Sequence, residues 1–134
     1  MAVTFSEEED MELAAGILVI VISFLHVFFG EKQPIKALSR STDDSILVGS
    51  VRVMSLQGGV LLFAVGAIHL LSFMDIISLT GIAVYFPVGI ICLNLLTFLL
   101  VAGIKHRELF SIVAFQLVAF TIILVLQVLA IKQM

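Results

Sequence analysis

Two histidines lie inside long apolar stretches of this sequence, where few other side chains can do chemistry. His26 and His69 are each flanked by aliphatic residues. Imidazole is the commonest metal ligand and a usual axial ligand of haem iron, so the pair raises the hypothesis of a haem- or metal-associated redox subunit. The simpler interpretation is a neutral histidine that donates one hydrogen bond to a neighbouring helix. We therefore expect no cofactor. The candidate ligands, if the chain does hold one, are His26 and His69.

Three amide side chains form a second set of polar groups within apolar stretches. They are Asn94, Gln116 and Gln127. Gln116 and Gln127 are separated by about three helical turns, which places them on one face of a helix. Such amides can line a polar path through a small transporter or channel, although scattered amides more often make hydrogen bonds between helices. Both interpretations stay open at this point.

Several classes of function are excluded or disfavoured by what the sequence lacks. No Asp or Glu lies in the interior of an apolar stretch, which excludes small four-span antiporters that exchange protons for cations through an embedded carboxylate. Zinc-protease, nucleophile-elbow and phosphate-loop motifs are also missing, so we do not expect an enzyme. The single cysteine, Cys92, cannot form a disulfide within the chain. No stripe of Lys and Arg exists for nucleic acid to follow.

The elements that carry these residues are predicted to be membrane-spanning helices. The 134 residues are 61% hydrophobic and 13% charged, whereas a soluble domain is roughly 45–50% apolar and about 25% charged. A helix needs about 20 mostly apolar residues to cross a bilayer. Four stretches meet this requirement, at 13–29, 46–73, 76–104 and 109–131. They predict an all-α membrane protein, a single four-helix bundle over residues 1–134, in which the long third span can tilt or bend at Pro87.

Charged residues mark the ends of the predicted spans and their orientation. Acidic residues stand at the four span starts, where the helix dipole favours them: Glu12, Asp44, Asp75 and Glu108. Six of the seven basic residues lie on one side of the predicted membrane: Lys32, Lys36 and Arg40 in the loop 30–45, Arg52 soon after it, and Lys105 and Arg107 in the third loop. Only Lys132 lies on the opposite side. The positive-inside rule then predicts a cytoplasmic loop 30–45 and extracytoplasmic termini in a multi-pass protein of the cell membrane.

Small and polar residues recur at heptad-like spacing in the first two spans, which places them on one face of each helix. Small residues let two helices approach closely, and Ser or His can bond across the contact. We therefore predict that these two spans pack along a seam. Its residues are Gly16, Ser23, His26 and Gly30 in the first span and Ser55, Gly59, Gly66 and His69 in the second. The histidines fall near opposite ends of antiparallel helices, so we expect them to be too far apart to share one haem or metal.

These observations favour a non-catalytic accessory or assembly subunit of a larger membrane complex. The predicted loops are short and no catalytic constellation is recognisable. The expected partners are the lipid bilayer and other membrane subunits, or further copies of the chain in a homo-oligomer. A small homo-oligomeric transporter or channel is the first alternative, and the redox subunit is the second.

Overall fold

The computed structural model describes residues 7–104, 106, 107, 109–112 and 114–133, and the side chains among these except at 7–9, 112, 132 and 133. Its helices are α1 (Glu7–Gly30), α2 (Lys36–Ser41), α3 (Ser45–Phe73), α4 (Phe86–Ile104), α5 (Leu109–Ile112) and α6 (Ala114–Gln133). A π-helical turn, Glu31–Ile35, joins α1 to α2, and a 3₁₀ turn, Gly81–Tyr85, precedes α4. The described residues contain no β-strand.

Four helical segments are long and apolar enough to cross a membrane, which confirms that part of the fold prediction. They are Asp10–Ser41, Ser45–Phe73, Gly81–Ile104 and Ala114–Ile131. The long helices run alternately up and down. One end of the bundle carries the start of α1, the end of α6 and the connection between α3 and α4; we call it the terminal end. The other end carries the α2–α3 and α4–α5 connections, and we call it the loop end.

The predicted loop 30–45 is helical as far as Ser41, and the connection is confined to residues 42–44. Pro34 explains the π turn, because proline has no N–H to donate and its ring clashes with the carbonyl four residues earlier. A wider π turn relieves that clash without ending the helix. Ile35 is buried beside the proline. The next helix, α3, is capped by Asp44, whose carboxylate accepts from the N–H groups of Ile46 and Leu47.

The third span begins later than predicted. Asp75 was expected to start it, but Asp75 instead ends α3 in the left-handed conformation, with φ at 56°. The N–H groups of Asp75 and Ile76 donate back to the carbonyls of Ser72 and Leu71, which is a Schellman-type helix end. Pro87 lies in the first turn of α4, directly after the 3₁₀ turn Gly81–Tyr85, where proline is tolerated.

The centre of the bundle is a cluster of aliphatic and aromatic side chains drawn from all four long helices. Helix α1 lies between α3 and α6 and packs most extensively with α3. Helix α4 packs mainly against α6 and, to a lesser extent, α3. The buried members of the cluster are Val19, Ile22, Leu62, Val65, Ile91, Phe120 and Ile123. This apolar layer separates two groups of polar side chains, one toward each end of the bundle.

Candidate functional site

The contact between α1 and α3 positions both histidines. Gly66 brings the two backbones together, because a Cβ on Gly66 would lie 2.9 Å from the carbonyl oxygen of Gly16 and 3.0 Å from the amide nitrogen of Ile20. One turn away, Gly16 lies against His69, with 3.0 Å between a Cβ on Gly16 and the Cβ of His69. Close approach at these glycines therefore buries His69, which is 6% exposed.

The rest of the predicted seam lies along the same contact toward the loop end. The hydroxyl of Ser23 donates to the carbonyl of Gly59 over 2.9 Å. Gly30 faces Ser55. His26 lies over Gly58, where an added Cβ would come within 2.8 Å of its Nε2 atom. Gly58 was not predicted as a seam residue, although it precedes Gly59 directly and supplies the space for an imidazole.

A carboxylate, an imidazole and an amide from three helices meet at the terminal end; we call Glu12, His69 and Gln127 the terminal cluster. The side-chain amide nitrogen of Gln127 lies 2.8 Å from Nε2 of His69 and donates to it. The proton of the neutral imidazole is then on Nδ1, which lies 3.7 Å from Oε1 of Glu12. That separation suits an ion pair with a protonated imidazole but exceeds a hydrogen bond.

Two atoms of the terminal cluster are buried without a hydrogen-bond partner among the described residues. They are Nδ1 of His69 and Oε1 of Gln127. Gln127 is 1% exposed, so bulk water does not reach its amide. Buried polar atoms without partners are uncommon and costly. The N–H at Nδ1 of the neutral imidazole is therefore a free donor on the side that faces Glu12.

Glu12 was missed as a site residue by the sequence reasoning, which assigned it only to the helix dipole at a span start. In the structure Glu12 faces His69, and its side chain is 20% exposed. A signal was present, because Glu12 precedes Gly16 by four residues and therefore continues the helical face formed by Gly16, Ser23 and His26.

Toward the loop end, α1, α4 and α6 line an open cavity of about 440 Å³, which we call the loop-end cavity. His26 of α1 and Gln116 of α6 are in contact at its wall, with 3.5 Å between Nδ1 and the amide nitrogen. Asn94, on α4, donates to the carbonyl of Ile90 over 2.9 Å. The full lining comprises His26, Leu93, Asn94, Thr97, Phe98, Val101, Gln116, Leu117 and Phe120.

The structure divides the three amides of the predicted polar path between the two sites. Asn94 and Gln116 line the loop-end cavity, together with His26. Gln127 is buried at the terminal cluster, about 16 Å from Gln116 along α6 at 1.5 Å per residue. Each histidine is thus paired with one glutamine of α6. A continuous path through all three amides is not seen in the described residues.

The two imidazoles are held far apart. His26 of α1 lies beside Gly58 of α3. His69 follows Gly58 by eleven residues on α3, which is about 16 Å along the helix axis. One haem iron or metal ion cannot take both as ligands within one chain. In the described part of the chain, no three side chains of His, Cys, Asp or Glu are grouped closely enough to hold a metal ion.

No protein-family model, curated protein or solved structure matches the chain.

Proposed function

We propose that this chain is a multi-pass integral protein of the cell membrane and serves as a non-catalytic accessory or assembly subunit of a larger membrane complex. The observation that carries the proposal is the exposure of the third span. It has a mean hydropathy of 2.3, yet 17% of its most apolar 18-residue window is buried within the protein, against 28% for each of the first two spans.

A peripheral third helix suits assembly with a partner. Leu96 and Leu100 of α4 are half-exposed. A second, apolar cavity of about 510 Å³ lies beside the start of α4, lined by α4 itself, the segment before it and Ile68 of α3. Association of helices within lipid depends on van der Waals packing and hydrogen bonds rather than on hydrophobic burial. A partner helix that fills the crevice beside α4 would gain such packing at little cost.

Charge supports the proposed orientation, with the loop end in the cytoplasm and both termini outside. The basic side chains described at the loop end are exposed: Lys32, Lys36, Arg40, Arg52 and Arg107. Lys105 lies outside the described residues, as does the side chain of Lys132. These five described basic side chains favour a cytoplasmic loop end.

Thiol labelling tests the orientation. In a Cys92→Ser background, single cysteines at Ser39 and Ser78 occupy exposed positions at the loop end and the terminal end. We expect a membrane-impermeant maleimide to label Ser78→Cys in intact cells and Ser39→Cys only after permeabilisation. The reverse pattern would overturn the orientation, and labelling of both in intact cells would overturn membrane embedding.

Site-specific photo-crosslinking in native membranes tests the subunit proposal. A photoreactive residue at Leu96 of α4 samples the proposed partner face, and one at Val21 of α1 is the matched control. The two side chains are 52% and 47% exposed, and both lie about 12–14 Å from the loop end of their helices. We expect stoichiometric crosslinks from position 96 to one protein of different sequence, and lipid adducts from position 21.

Three outcomes are distinguishable by mass spectrometry of the crosslinked product. A protein partner that also co-purifies in mild detergent supports the accessory role. Crosslinks to a second copy of this chain would replace the accessory role with a homo-oligomer. Equal yields of lipid adducts alone from both positions would refute any partner on the α4 face.

The first alternative, a small transporter or channel, is favoured by one specific observation. Polar side chains of three helices, His26, Asn94 and Gln116, line the loop-end cavity, and polar groups within a bilayer usually face a functional cavity or a neighbouring helix. Purified protein in liposomes would then conduct or exchange solutes. Replacing both Asn94 and Gln116 by Leu should abolish that flux, and flux that survives both changes would reject this path.

A further inference from the structure

The loop-end cavity has the dimensions of a ligand site. Pockets for small molecules range from roughly 300 to 1,000 Å³ and are mostly apolar with a few placed polar groups. The loop-end cavity measures about 440 Å³ and has both kinds of lining. Gln116 lies two residues after the start of α6, and Thr97 lies seven residues before the end of α4. The cavity therefore lies in the loop-end half of the bundle.

One side of the cavity is polar, and its groups are incompletely engaged with one another. The contact between His26 and Gln116, at 3.5 Å, is at the outer limit of a hydrogen bond. The side-chain amide nitrogen of Asn94 donates to the carbonyl of Ile90 on its own helix. The amide oxygen of Asn94 is a hydrogen-bond acceptor in addition. Polar groups within a membrane gain from any ligand that completes their hydrogen bonds, because lipid tails offer none.

The other side of the cavity is apolar, and no formal charge lines it. Phe98, Leu117 and Phe120 supply aromatic and aliphatic surface, and of the nine described residues that line the cavity only His26 is titratable near neutral pH. A charged ligand would find no counter-ion there and would lose its hydration. The lining therefore selects an uncharged molecule with one polar and one apolar part.

We propose that the loop-end cavity binds an uncharged, lipid-soluble molecule whose head group carries carbonyl or hydroxyl groups. The head group bonds with His26, Asn94 and Gln116, and the apolar part lies against Phe98 and Phe120. Membrane quinones and neutral glycerides both have this chemistry. Both reach the cavity from the bilayer, between the helices. This proposal does not rest on the accessory role, since it concerns binding by the single chain.

Ligand titration of the full-length protein in detergent tests the proposal. The two probes are a short-tailed benzoquinone and dioctanoylglycerol, with bound stoichiometry read by native mass spectrometry. We expect one probe or both to bind saturably at one per chain. If only the quinone binds, the ligand of the cavity has a ring-type head group. If only the diglyceride binds, the ligand is a glyceride.

Matched variants connect the binding to the cavity. Gln116→Leu should weaken the binding of the active probe about tenfold, the effect of losing one buried hydrogen bond. Gln57→Leu removes an exposed glutamine of α3 that does not line the cavity and should leave the dissociation constant unchanged within about twofold, well under the effect of one hydrogen bond. Far-UV circular dichroism and gel filtration check that each variant is folded.

If Gln116→Leu does not fold, Asn94→Leu carries the test, since Asn94 lies on α4 and is another of the three proposed head-group contacts; we expect weaker binding there too. The proposal is overturned if neither probe binds saturably. It is also overturned if binding is equally strong in the cavity variants and in Gln57→Leu.

Discussion

The hydrogen bond between Gln127 and His69 should couple α6 to α3 energetically. Both side chains are buried, at 1% and 6% exposure, and the two nitrogens are 2.8 Å apart. In Gln127→Leu the shape of the side chain is nearly kept, but Nε2 of His69 loses its donor where water does not replace it. Leaving one buried polar group unsatisfied costs about 1–3 kcal/mol.

A double-mutant cycle isolates the interaction from the cost of each truncation. We expect Gln127→Leu, His69→Leu and the double variant to give a coupling energy of about 0.6–1.7 kcal/mol, the range of hydrogen bonds between helices in a membrane. The free energy of unfolding would be measured by SDS titration in mixed micelles, with far-UV circular dichroism following the loss of helix. The cycle separates the pairwise term because each single change removes the same bond.

The loop end supplies a matched control. His26 and Gln116 are again a histidine of the α1–α3 contact and a glutamine of α6, but they are half-buried and 3.5 Å apart. Their coupling in the same assay should fall below about 0.5 kcal/mol, because the contact is at the limit of a hydrogen bond. Equal coupling at both ends, or stronger coupling at the loop end, would refute the reasoning that burial and distance decide this energy.

Three further predictions concern the helices and their ends. Gly66→Ala should destabilise the bundle by about 2 kcal/mol or more in the same SDS titration, because the added methyl meets backbone atoms that cannot yield. Gly49→Ala is the control: it has open space around it and should be neutral or stabilising by about 0.5–1 kcal/mol. Equal losses of stability in the two variants would show that close packing is not responsible. Asp75→Gly should stabilise by up to about 1 kcal/mol and Asp75→Ala should not, since φ at Asp75 is 56°; a gain in both would contradict this account of the helix end. The exposed pair of Arg52 and Glu31, 2.7 Å apart, should contribute at most about 1 kcal/mol in a cycle at low salt and less at 1 M salt, and a salt-independent coupling would argue against an exposed ion pair.

Much of the architecture could be predicted from the sequence, because hydropathy and helix length are local properties. Four apolar stretches were expected, and four helices long enough to cross a membrane are present. Span limits were less accurate where backbone geometry decided them. The loop expected at 30–45 is helical as far as Ser41, through a π turn that includes Pro34, and Asp75 ends one helix instead of starting the next.

Residue types and spacing determined which side chains could matter, and in the structure the glycines at 16, 30, 59 and 66 face the other helix of the α1–α3 contact. Only the tertiary structure decided which polar groups meet. The spacing of Gln116 and Gln127 shows that they share a face of one helix, but not that each faces a different histidine. Glu12 likewise reads as an ordinary helix-start charge until α3 brings His69 against it. Such pairings depend on the rotation and position of one helix relative to another, and these follow from the packing of all the side chains at the contact rather than from any local run of sequence.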